Sequence, residues 1–139
     1  HQLVYGGGGL ESSINMSLTN PNGFVPAGKA GFTWGQLPIG DAFESWLAVT
    51  TNEPGGEGCD AELSCYDESG LVGERRLHIP AGTAAILAPE ELLPDAVLTR
   101  AQEKLEYVWF ELRAKRSDVY GYAISRHRRT GHCSGEHSF

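Results

Sequence analysis

No stretch of this sequence reaches the roughly 18 consecutive apolar residues of a membrane helix, so no membrane span is expected. Basic side chains are few. Eleven Lys+Arg against 18 Asp+Glu leave a formal charge of −7, which argues against nucleic acid as a partner. Cysteine is scarce, with three in 139 residues and no CxxC, CxxCH or zinc-type spacing. GxSxG and HExxH are missing, and Gly6–Gly9 does not lead into the Lys-Ser/Thr helix of a phosphate-cradling loop. Carboxylate pairs abound, but an acidic chain yields them by chance. The expectation is a protein that is not an enzyme and carries no cofactor.

Glycine is what the chain has in plenty. Its 18 Gly with 7 Pro make about 18% of the residues, below the level of a low-complexity chain. With 40% hydrophobic and 21% charged residues, 139 positions are enough for one loop-rich domain with one core. Ser13–Thr19 alternates apolar and polar as a half-buried strand does, and Asn20–Gly23 ends it with turn residues. Phe32 and Trp34 suggest a short strand, and Trp46–Thr51 a longer one. Ala61–Tyr66 alternates with its odd positions inward, which places Cys65 in the core. Arg75–Ile79, Ala84–Leu87, Tyr107–Leu112, Val119–Ser125 and His132–Phe139 complete the strands. Pro89–Leu93 reads as one helical turn, with Pro first and acids behind it, whereas Ala96–Lys104 fits helix or loop equally. Seven to nine short strands with turns between them predict an all-β, antiparallel sandwich.

Three segments carry a resemblance. Ala48-Val49-Thr50, then Glu62–Gly70 with its Tyr66-Asp67-Glu68-Ser69-Gly70 turn, then Leu77–Gly82 with its Ile79-Pro80-Ala81-Gly82 turn, resemble the strand order of secreted bacterial immunoglobulin-like modules. Val119–Ala123 is similar to their penultimate strand. The likeness spans residues 46–125 and implies an immunoglobulin-like sandwich in an extracellular or cell-surface setting. It implies no activity.

An odd number of cysteines leaves one thiol over. Cys59 and Cys65 on one extended strand would stand about 20 Å apart, beyond any disulfide. Pairing of Cys133 with one of them is the natural expectation unless the chain turns sharply at Cys59-Asp60. Asn15-Met16-Ser17 is an N-glycosylation sequon. A first residue His1 rather than Met fits a mature secreted chain, or the remnant of a tag.

The ends of the chain suggest self-association. Leu3, Val4 and Tyr5 form a β-prone segment followed by four glycines, so residues 1–9 could donate a strand to another copy, with 10–139 as the sandwich. Residues 114–139 carry a net +3 against −10 for the remainder, and Arg126, Arg128 and Arg129 could attract an acidic neighbour. The expected role is an extracellular structural or adhesive subunit that forms filaments or a surface layer with copies of itself. Two alternatives stand beside it. Trp34, Trp46 and Trp109, with five tyrosines, could stack on glycans as a carbohydrate-binding module. An N-terminal His1 with His132 or His137 resembles the histidine-brace copper proteins, and a nitrogen-rich planar site of that kind suits Cu(II).

Overall fold

Period-two alternation carries most of the chain into strands. The computed structural model describes residues 2–7, 10–15, 31–51, 58–102, 106–114 and 119–137. In chain order these form β1 (Gln2–Gly7), β2 (Leu10–Asn15), β3 (Gly31–Ile39), β4 (Phe43–Thr51), β5 (Cys59–Asp67), β6 (Gly70–Ile79) and β7 (Ala84–Leu87). Two short helices follow, α1 (Pro89–Leu92) and α2 (Asp95–Ala101), and then β8 (Glu106–Ala114), β9 (Val119–His127) and β10 (Cys133–His137). One four-stranded sheet has the order β3-β8-β5-β6, and the other β10-β9-β4-β7. Every pairing is antiparallel. β1 and β2 make a separate two-stranded hairpin, with β2 running beside β10.

The two sheets pack face to face around inward residues: Leu37 and Ile39 of β3, Leu47 and Val49 of β4, Leu63 and Cys65 of β5, Val108 and Leu112 of β8. The odd positions of β5 are indeed the buried ones, with Cys65 2% exposed. At the centre stands Phe110, 2% exposed and paired with Gly35 on β3. A Cβ on Gly35 would lie 2.7 Å from the tip of the Phe110 ring, and one on Gly121 of β9 would lie 2.7 Å from the ring's other edge. The ring therefore occupies a slot that exists because both sheets present a bare backbone there. Filling it would force overlap well inside van der Waals contact.

The helical segment closes the end between β4 and β6. Pro89 opens α1, and the Glu91 carboxylate accepts the Ala88 N–H at 3.0 Å. Of the ambiguous stretch Ala96–Lys104, residues 96–101 are helix, with Val97 and Ala101 buried one turn apart and Leu98 half-buried beside them, and residues 103–104 lie outside the described residues.

The two packed sheets hold eight strands, and the β1–β2 hairpin, in which Gly6 and Gly7 pair with Glu11 and Leu10, brings the described strands to ten. One expectation needs correction. The three cysteines are free thiols. Cys59 and Cys65 share β5, and Cys133 lies on the edge strand of the other sheet. That placement separates Cys133 from β5 by the roughly 10 Å between sheets plus further strand spacings of about 4.8 Å. Of the strand expected over Ser13–Thr19, residues 13–15 fall in β2 and 16–19 lie outside the described residues.

The Phe110 slot makes a direct prediction. Gly121→Ala and Gly35→Ala should each destabilise the fold by about 1–3 kcal/mol in urea denaturation. Adding Phe110→Leu to Gly121→Ala should cost less than the sum of the two single changes, because the smaller side chain relieves the overlap.

Candidate functional site

Inward burial of Val108, Phe110 and Leu112 forces the alternate residues of β8 outward. Tyr107, Trp109, Glu111 and Arg113 thus line the outer face of the β3-β8-β5-β6 sheet. Register brings their partners to the same face: Phe32 opposite Arg113, Trp34 opposite Glu111 and Gln36 opposite Trp109 on β3, with Tyr66 of β5 on the other flank of Trp109. Four large aromatic side chains remain exposed there, Phe32 and Tyr107 at 51%, Trp109 at 43% and Trp34 at 39%. Single exposed apolar residues are ordinary; four on one face make a patch.

The patch is organised. Trp34 and Trp109 are diagonal neighbours whose ring centroids lie 5.6 Å apart with 34° between their planes. Arg113 lies 5.0 Å above the Phe32 ring and donates to Glu111 at 3.0 Å. The Tyr66 hydroxyl donates to the same Glu111 carboxylate at 3.4 Å. Beside Trp109 and Tyr107 opens a cleft of about 590 Å³ whose remaining walls are Gln36, Asp67, Glu68, Ser69, Arg100 and Glu106. Arg100 of α2 bridges two carboxylates across it, pairing with Asp67 and reaching Glu106 at 3.4 Å. The Ser69 hydroxyl and backbone amide both donate to Asp67, at 2.5 and 2.7 Å, and together with the Arg100 guanidinium hold the Asp67 carboxyl below its ordinary range. The result is an aromatic floor bordered by planar polar groups whose directions are fixed by their partners.

The other candidate residues fall elsewhere. Trp46 sits half-buried on β4 in the opposite sheet, so two of the three tryptophans come together and the third does not. The backbone of Leu3, Val4 and Tyr5 pairs with Ile14, Ser13 and Ser12 of the same chain. Arg126 and Arg128 converge on Glu44, Arg128 at 3.0 Å, which engages two of the three basic side chains within the molecule. Arg129 is exposed in the turn before β10. Burial pushes the Cys65 thiol up to about 11, so it stays protonated near neutral pH and is a poor nucleophile or ligand. His132 is exposed, while His1 and the His137 side chain lie outside the described residues. Among the described residues no group of His, Cys, Asp and Glu is arranged to hold a metal. Asn15 ends β2, and the rest of its sequon lies outside the described residues. No described helix is long and apolar enough to cross a membrane.

Sequence reasoning missed Gln36, Tyr66, Asp67, Arg100 and Glu106. Tyr66 and Gln36 were reachable from strand parity, but Arg100 enters from a helix whose existence the pattern left open. No protein-family model, curated protein or solved structure matches the chain.

A carboxylate more acidic in the folded than the unfolded state contributes stability above its unfolded pKa, about 3.9 for Asp. That contribution is lost as pH falls through the lower folded value. Thermal melts stepped from pH 7 to pH 2 should show a shallower acid decline in Asp67→Asn than in the parent, with the difference opening below about pH 4.

Proposed function

We propose that this chain is an extracellular, immunoglobulin-like binding module whose aromatic outer face takes a glycan. The observation that carries this reading is the exposed Trp34–Trp109 pair beside the cleft of Gln36, Asp67, Arg100 and Glu106. Sugar rings have apolar C–H faces that stack on aromatic rings and equatorial hydroxyls that need donors and acceptors at their rims. Tryptophan supplies the first; the amide, carboxylates and guanidinium supply the second. Two rings inclined at 34° suit a chain of linked sugars that twists from one residue to the next better than a flat crystalline surface.

The immunoglobulin-like assignment draws support from connectivity. β3 pairs with β8 in one sheet while their sequence successors β4 and β9 pair in the other, an interlock that joins the sheets through the β3–β4 and β8–β9 connections. The extracellular setting draws its support from the resemblance of residues 46–125 and from the sequon at Asn15.

A second reading, self-assembly, is favoured by the hairpin. β1 and β2 pair with each other and, among the described residues, with neither four-stranded sheet. A two-stranded hairpin is marginal in water by itself; here β2 lies beside β10, and among the described residues β1 is left as the edge that gains from addition. In this reading a neighbouring copy pairs with that edge.

Affinity electrophoresis in gels containing soluble β- and α-glucans, xylan, mannan or alginate should show retardation by at least one polymer. Trp34→Ala and Trp109→Ala should each weaken it about tenfold with unchanged melting temperature, the worth of one stacking contact. Uniform mobility in all polymers, or full binding by both variants, would remove the glycan reading. Light scattering with and without residues 1–9 addresses the second reading: assemblies that vanish on truncation support it, and a monomer in both samples ends it.

A further inference from the structure

Cross-strand register puts the four exposed aromatics of the outer face in a definite order. The opposed pairs of β3 and β8 run Phe32 with Arg113, Trp34 with Glu111, Gln36 with Trp109 and Pro38 with Tyr107. Each pair is one step along the strands, and two residues advance a strand by about 6.7 Å. The rings therefore stand at four successive steps, Phe32 and Trp34 on β3, then Trp109 and Tyr107 on β8. From first to last the strip covers about 20 Å. All four point outward by parity and are 39–51% exposed. The change of strand falls between Trp34 and Trp109, whose ring centroids lie 5.6 Å apart, so the strip is continuous where it crosses.

We infer that this strip binds one linear glycan of more than two sugars, laid along the β3–β8 strand direction, with Phe32 and Tyr107 as its outer stacking positions. The inference rests on the glycan reading above and extends it in length and direction. One ring per step suits a ligand that repeats, and a chain of linked sugars presents apolar ring faces at regular intervals with hydroxyls at its margins. Polar groups follow the rings across the change of strand. Beside Phe32 and Trp34 they come from β8, where Arg113 lies 5.0 Å over the Phe32 ring and donates to Glu111 at 3.0 Å. Beside Trp109 and Tyr107 they come from Gln36 of β3 and from the cleft that holds Asp67 and Arg100. A protein partner fits this face less well, because the buried centre of a protein interface is depleted in charge, whereas Glu111 and Arg113 stand within the strip. A disaccharide is too short to reach all four rings.

The test is a chain-length series on the full chain. Cello-, malto-, xylo- and manno-oligosaccharides of two, four and six sugars are titrated while the Trp34 and Trp109 indole N–H resonances are followed in nitrogen-15 correlation spectra. In a series that binds, the tetrasaccharide should bind at least tenfold more tightly than the disaccharide, which the Trp34–Trp109 pair alone can hold. Phe32→Ala and Tyr107→Ala should each weaken the hexasaccharide about three- to tenfold, the worth of one stacking contact, and leave the disaccharide affinity as it was. Their melting temperatures should stay at the parent value, since both rings are exposed. Equal affinity for two, four and six sugars, or a hexasaccharide bound by either variant as tightly as by the parent, overturns the inference and leaves the glycan reading standing. If no oligosaccharide of any series moves either indole, both fall.

Discussion

The seating of the Phe110 ring between Gly35 and Gly121 is the constraint on which the rest of the structure depends. A ring in that slot touches both sheets at once, which glycine at the two flanking positions alone allows. It also sets register. With Gly35 opposite Phe110, Trp34 must face Glu111 and Gln36 must face Trp109. A slip of one residue would send every side chain of β8 to the other face and bury the charged Glu111 and Arg113. The buried ring and the exposed tryptophans are therefore two consequences of one pairing. Apolar burial on one face obliges the other face to carry whatever the alternate positions encode, and here they encode aromatics, carboxylates and guanidinium groups.

That outer face is held by electrostatics at its margins more than by packing. Arg113 is bound to Glu111 and lies over Phe32, and Arg100 ties α2 to the β5–β6 turn through Asp67. Exposed ion pairs of this sort contribute little stability, typically under about 1 kcal/mol each. Their effect is orientation. Side chains restrained by partners lose less entropy when a ligand engages them, which favours a preorganised surface over a loose one.

Much of this was legible in the sequence. Alternation along Ala61–Tyr66 and Tyr107–Leu112 placed Cys65 inward and made one face of β8 outward, because a strand buried on one side writes its burial directly into parity. The helical turn at Pro89 was legible from proline and acids at its start. The rest depended on contacts between distant segments. Nothing local tells that Trp34 and Trp109, 75 positions apart, are cross-strand neighbours while Trp46 stands in the other sheet. Likewise nothing local tells that Arg126 and Arg128 meet Glu44, which the β4–β9 pairing brings to them.

Three tryptophans give three indole N–H resonances, two from the Trp34–Trp109 pair on the outer face and one from Trp46 on the other sheet. The most direct measurement is a nitrogen-15 correlation titration of the intact chain with an oligosaccharide of the polymer that retards it in gels. A glycan on the outer face gives saturable shifts of the Trp34 and Trp109 indoles with a Trp46 indole that stays in place. Shifts confined to Trp46, or none at any indole under saturating oligosaccharide, would contradict it.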